Sequence, residues 1–165
     1  MRDFFIEIFS DHSRMIVFLH VASAALIVGS LFIMRFVVQP VEVDVPDIKI
    51  KFNTCMKMIR KYMFFTLFLM LIVIVTSLFM HWGLGFKTGN PTTYVFIHIK
   101  EALWTFMTFN FIYMFFKYTK AKKGLESENY IEVEENVILI VRYFIPLNLV
   151  LSIVCVYFGV VLRGF

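Results

Sequence analysis

Residues 15–34 read MIVFLHVASAALIVGSLFIM. A helix needs roughly 20 mostly apolar residues to cross the hydrocarbon of a bilayer, and this stretch has that length without one formal charge. Its single ionisable side chain is His20, about one helical turn from the start. A polar imidazole in lipid is costly unless it has a partner. The stretch therefore predicts a membrane helix and raises the question of what His20 meets.

Three further runs match it: 63–82, 94–116 and 137–162. The chain has 165 residues, 60% of them hydrophobic, with a mean hydropathy of +0.80. A soluble domain of this size has no means of hiding so much apolar surface, whereas a bilayer does. The reading is an all-α integral membrane four-helix bundle, up-down-up-down, forming one domain over 1–165, with spans at about 15–38, 62–82, 94–118 and 137–162. The first run does not read as a cleaved signal peptide. Its apolar part is too long, no A-x-A-like site follows it, and Asp3, Glu7 and Asp11 precede it.

Orientation follows the distribution of Lys and Arg. Arg35, Lys49, Lys51, Lys57, Arg60 and Lys61 fall in or beside the first connection, and Lys117, Lys120, Lys122 and Lys123 in the third. The opposite side receives Arg2, Arg14, Lys87 and Arg163. The basic side should be the cytoplasm, with both termini outside, in a multi-pass protein of the cell (inner) membrane. The net charge of +4 expresses this bias. No basic stripe interleaves with aromatics as a nucleic-acid groove requires.

The connections carry their own patterns. Residues 1–14 are mixed in charge and form a candidate interfacial helix, with Phe4, Phe5, Ile8 and Phe9 as its apolar face. Pro40 and Pro46 break the chain between the first two spans. After them Ile48, Phe52, Cys55, Ile59 and Tyr62 recur at helical spacing, apart from Lys49, Lys57, Arg60 and Lys61. This predicts a basic amphipathic extension of the second span, lying against the inner leaflet or a partner. Residues 83–93 hold Gly83, Gly85, Gly89, Asn90 and Pro91, a tight turn that makes the second and third helices antiparallel neighbours. Gly124 is expected to break the third helix. Glu128, Glu132, Glu134 and Glu135 then gather at the start of the fourth, where the helix dipole favours them and the basic end of the second helix is within reach.

Histidines carry the candidate chemistry. His98 lies about four residues into the third run, as His20 lies about five into the first. Both helices enter from the same side, so at about 1.5 Å per residue both imidazoles lie roughly 6–8 Å below the apolar boundary. His81 ends the second run on that side, and His12 precedes the first. His20 and His98 are therefore taken as paired ligands of a metal or heme. Two imidazoles suit heme iron, whose other four donors come from the porphyrin; bare zinc wants four protein donors, and copper handling wants clustered methionine or cysteine. No C-x-x-C-H motif occurs, so the heme would be b-type. Lys100 and Glu101 follow His98, and such residues in a span are functional or mutually paired. Asn148, Ser152, Cys155 and Gly159 share one face of the last helix, which must meet protein or a cofactor, because lipid offers Asn148 no hydrogen bond. Arg35 and Arg142 mark inner ends of spans and are candidates for holding a propionate or a lipid phosphate. Cys55 and Cys155 fall far apart, so no disulfide is expected.

With His20, Gly29 and Arg35, the segment LHVASAALIVGSLFIMRF resembles the opening helix of the HemJ-type protoporphyrinogen oxidases. The H-x-K of His98 and Lys100 and the RYFIPLNLVL that holds Arg142 and Asn148 are similar to that family's later helices. Copper-resistance D-like membrane proteins share the four-span layout and the early histidine. The resemblance implies b-heme on His20, with His98 as a partner, and Asn148 and Arg142 beside the cofactor. It makes Lys100 and Arg35 the candidate catalytic residues. The implied reaction is oxidation of protoporphyrinogen IX to protoporphyrin IX, with electrons passed to quinone or the respiratory chain. A heme electron carrier or accessory subunit of a respiratory complex, a copper transport protein and a purely structural membrane protein are the competing readings, and a second copy of the chain (a homo-oligomer) or a respiratory complex is the candidate protein partner.

Overall fold

The computed structural model describes residues 2–38, 45–84 and 91–163; of Arg2, residues 91–93 and Arg163 it describes the backbone alone. Helix α1 (Arg2–Ile33) continues into one π turn, Met34–Val38, which carries Arg35. His12, with φ −123° and ψ 20°, breaks its helical geometry. Helix α2 (Ile48–Gly83) begins where Asp47 accepts a hydrogen bond from the Ile50 amide at 2.9 Å, a side-chain cap after Pro46. Helix α3 spans Pro91–Glu126. Helix α4 (Tyr130–Ile138) runs through a second π turn, Leu139–Phe144, into α5 (Ile145–Arg163), so that the three form one rod.

The second π turn has a local cause. Pro146 lacks an amide proton, and its ring crowds the carbonyl four residues back. The helix widens just before it, and the Ile145 amide reaches back to the Ile140 carbonyl.

Four rods therefore form a bundle in which successive rods run antiparallel. Helix α1 packs along α2, α3 packs along the α4–α5 rod, and α1 also meets α5; α2 and α3 touch more sparsely. The described residues contain no strand. Three stretches, Asp3–Val38, Ile48–Gly83 and Tyr130–Leu162, are long and apolar enough to cross a membrane. Helix α3 is as long as α2, but Lys100 and Glu101 interrupt its apolar run. The exterior is apolar, with Phe18, Phe64, Phe68, Phe109 and Tyr157 exposed, whereas His20, Thr76, Asn110 and Asn148 are inside.

Several sequence expectations meet different packing. The amphipathic start of α2 turns its apolar face to its own chain. Phe52, Cys55, Ile59 and Tyr62 are buried, and Phe52 stacks on Tyr130 with ring centroids 6.2 Å apart. Ile48, assigned to the same face, is exposed. At about 1.5 Å per residue α2 is roughly 54 Å long, far beyond a hydrocarbon core of about 30 Å. Its first turns and the facing parts of α3 and α4 form a bundle end with its own core. Lys49 pairs there with Glu128 at 3.2 Å, the reach expected of the glutamate cluster.

Gly124 does not end α3, which continues to Glu126. A methyl group on Gly124 would lie 3.2 Å from Val133 and 3.3 Å from the Asn129 carbonyl. The glycine lets the next rod approach. The stop comes later. The Asn129 amide bonds the Gly124 carbonyl at 2.8 Å, the Glu128 amide reaches the Leu125 carbonyl, and Glu128 sits at φ 56°, the left-handed closing residue of a Schellman turn.

The N-terminal helix is present, but it folds back. The register set by His20 against Thr76 would carry Phe5 well past the end of α2 if α1 ran straight. Instead Phe5 meets Phe79 and Trp82, with centroids 5.0 and 4.4 Å away, and Phe9 is buried over Gly83, where any side chain would collide with its ring. The break at His12 makes that return possible. Pro40 and most of the 83–93 turn lie outside the described residues.

Candidate functional site

His20 is buried, only 8% exposed, on the face of α1 that meets α2. Its Nδ1 lies 3.0 Å from the Thr76 hydroxyl. Thr76 is committed elsewhere as a donor, since its hydroxyl proton points to the backbone carbonyls of Ile72 at 2.7 Å and Val73 at 3.1 Å. With that proton on a carbonyl, the Thr76 oxygen is free to accept from His20 Nδ1–H, and the ring also bonds the Val73 backbone. In the tautomer that carries its proton on Nδ1, Nε2 keeps its lone pair. A ligating histidine is commonly oriented in this way, with one ring nitrogen tied by a hydrogen bond and the other left for a metal.

Lys100 shares this interior. A methyl on Gly159 would lie 3.6 Å from the Lys100 Nζ, so the ammonium comes over from α3 to the glycine on α5. It interacts electrostatically with the His20 ring and the Cys155 thiol. Among the described residues no carboxylate pairs with it. Ser23 and Ser152 are buried on α1 and α5. Ser152 gives its proton to the Leu149 carbonyl.

His98 does not join His20. Its side chain is 51% exposed, and its Nδ1 donates to Glu101 Oε2 at 3.1 Å, one turn along the same helix. The Tyr94 ring meets it edge-on, with centroids 4.2 Å apart. Glu101 Oε1 also lies 3.5 Å from Nδ1 of His81 on α2. The expected pair of facing imidazoles is thus replaced by two separate arrangements, a buried one on His20 and a half-exposed one on Glu101. The physical reason is azimuth. Residues two apart on a helix point about 200° away from one another, so with Lys100 facing in, His98 faces out. Among the described residues no group of three or more His, Cys, Asp or Glu is placed to hold a metal ion.

Asn148 is buried, as its stripe required. It accepts a hydrogen bond from Asn110 at 3.3 Å and lies 3.6 Å from the Met114 sulfur. This ties α5 to α3 about two turns from Cys155, and it serves helix pairing without touching His20's partners. Arg142 is exposed at the basic end, and Arg35 lies 5.7 Å from the Phe36 ring; neither is brought to His20 or Lys100. Both cysteines are buried, Cys55 in the basic-end core and Cys155 beside Lys100.

Thr76 is the site residue that the sequence reading did not assign. The available signal for Thr76 was a hydroxyl in the apolar run of α2, shared with Thr66 and Ser77, since such a group must bond to something. A comparison with family models, curated proteins and solved structures finds no match to this chain.

Proposed function

We propose that this chain is a multi-pass inner-membrane redox protein that holds b-type heme through Nε2 of His20. The single observation that carries this reading is the buried imidazole whose Nδ1 lies 3.0 Å from the Thr76 hydroxyl, a placement that in the Nδ1–H tautomer leaves the Nε2 lone pair for a ligand. The donor set fits such a group. One oriented imidazole is a sufficient protein ligand for heme iron, whereas zinc would need three or four donors. The porphyrin's carboxylates call for a cation, and Lys100 is an ammonium without a carboxylate partner among the described residues. The exposed apolar belt supports insertion, and the charge bias supports an orientation with the Lys49 end in the cytoplasm and both termini outside.

Bound heme would supply one-electron redox chemistry at this position. The protein's part is to orient and to balance charge. Thr76 fixes the ring rotation of His20 and makes Nε2 a better donor. Lys100 neutralises an acidic group or carries a proton. The resemblance to the HemJ-type oxidases supplies the reaction: dehydrogenation of protoporphyrinogen IX, with quinone as acceptor.

The test is a reduced-minus-oxidised spectrum of the purified, hemin-loaded protein. Wild type should show b-type bands, His20→Ala should lose them, and His98→Ala should keep them. Thr76→Val should weaken heme retention about 10–100-fold, the usual effect of losing a ligand's orienting partner. Loss of the bands in His98→Ala but not in His20→Ala would overturn the assignment. Rescue of a protoporphyrinogen-oxidising defect separates the oxidase from an electron carrier built on the same heme.

A further inference from the structure

A groove of about 530 Å³ runs down the outside of the bundle between α3 and the π turn that precedes Pro146. Phe109, Ile112, Tyr113, Phe116 and Phe144 line it. Asn110 forms its floor, but its amide is turned inward to Asn148. Tyr113 and Phe144 stand with ring centroids 5.2 Å apart at an angle of 50°, so the wall is a cleft between tilted rings. At the basic end of this cleft the Lys117 ammonium lies over the Tyr113 ring, 5.3 Å from its centroid. Among the described residues no carboxylate claims it. Lys120 follows on the next turn.

We propose that this groove is a binding site for an anionic phospholipid of the cytoplasmic leaflet. One acyl chain lies along the aromatic wall, and the phosphate rests on Lys117. The proposal rests on the membrane reading of the bundle. Two features select the occupant. The wall is apolar and exposed over roughly 10 Å of helix from Phe109 to Phe116, which suits the first part of an acyl chain. The cation stands at one end only, and it is the end that the charge bias assigns to the leaflet rich in anionic lipid. A phospholipid joins an apolar chain to a terminal anion in that order. A second copy of this chain would have to bring both to the same place from separate residues.

The experiment has two steps on the full-length protein. Alkaline extraction of membranes first asks whether the chain is integral; release into the supernatant would sink the membrane reading and this site with it. Native mass spectrometry of detergent-purified protein then compares phosphatidylglycerol with phosphatidylcholine of identical chains. Wild type should retain the anionic lipid about fivefold better, the effect of one cation at the membrane surface. Lys117→Gln should abolish that preference, Phe116→Ala should lower retention of both lipids, and Lys123→Gln should change neither. Retention by an integral protein with no headgroup preference, a preference that survives Lys117→Gln, or a lipid-free dimer would each overturn this site and leave the membrane reading standing.

Discussion

The two ends of the bundle are filled with different material. At the basic end, Phe52, Ile59, Ala121, Val133 and Ile140 meet in a mostly apolar interior, with Tyr62, Thr66 and Asn136 as its buried polar side chains among the described residues. At the histidine end the same rods turn inward His20, Ser23, Thr76, Lys100, Ser152 and Cys155. The difference follows from the solvent. On the membrane reading proposed above, the basic end projects past the hydrocarbon, so water drives its apolar faces together. Inside lipid that drive is absent, and helices associate through close packing and hydrogen bonds. The fold is anchored where water acts, and the end that carries reactive groups is held by that anchor.

The largest effect should come from the apolar end. Ile59 is completely buried, and Ile59→Ala should lower stability by about 2–4 kcal/mol, read as a fall in melting temperature in mild detergent. Ser23→Ala or Ser152→Ala at the other end should shift stability by less than about 1 kcal/mol. Equal losses at the two ends would erase the distinction.

A second substitution probes how the histidine end is closed. Gly83→Leu must expel Phe9, because the Phe9 ring occupies the space of any side chain there. The N-terminal helix should then lose about 1.5–3 kcal/mol of docking free energy, the burial of one large apolar side chain. Hydrogen exchange should rise before His12 while the protection of α4 stays unchanged. Uniform loss of protection would mean that the two ends are one cooperative unit.

The sequence made axial position legible but left azimuth open. Counting residues from the apolar boundary put His20 and His98 at one height, and nothing in a count says which way a side chain points around its helix. Lys100 and His98 compete for the inward face, and the site depends on which wins. Composition likewise marked Asn148 as inward, because no alternative exists for an amide in lipid. Gly124 looked like a stop and is a close approach, since only the neighbouring rod, absent from local sequence, reveals the contact with Val133. Pro146 was visible inside the last run, and the π turn it induces was its unread consequence.

The boundary between the ends offers an intermediate effect. Asn148→Leu removes the partner of the Asn110 amide and leaves it buried, at a loss of about 1–3 kcal/mol. Replacing both asparagines by leucine should recover most of that loss, since an apolar pair leaves no orphaned group. A double variant as unstable as the single one would show that the pair is needed for something besides its mutual bond.

The smallest effect is at the turn that closes the apolar end. Glu128 holds a left-handed backbone that a side chain disfavours, and it also pairs with Lys49 at 3.2 Å in full exposure. These two roles oppose one another, and two substitutions separate them. Glu128→Gln removes the charge and keeps the strain; Glu128→Gly removes both. The glycine variant should therefore be more stable than the glutamine variant by about 1 kcal/mol, the penalty of a left-handed residue carrying a Cβ. The ion pair shows itself in pH instead. Its hydrogen bond with Glu128 raises the Lys49 pKa above the ordinary 10.5. A lysine with a raised folded-state value contributes its stability in full below the unfolded value and loses it as the pH climbs through the folded one. The wild-type advantage over Glu128→Gln should accordingly be constant near neutrality, fade only above about pH 10.5, and shrink with added salt. Glycine and glutamine variants of equal stability would remove the backbone argument, and a wild-type advantage that ignored both salt and alkaline pH would remove the ion pair.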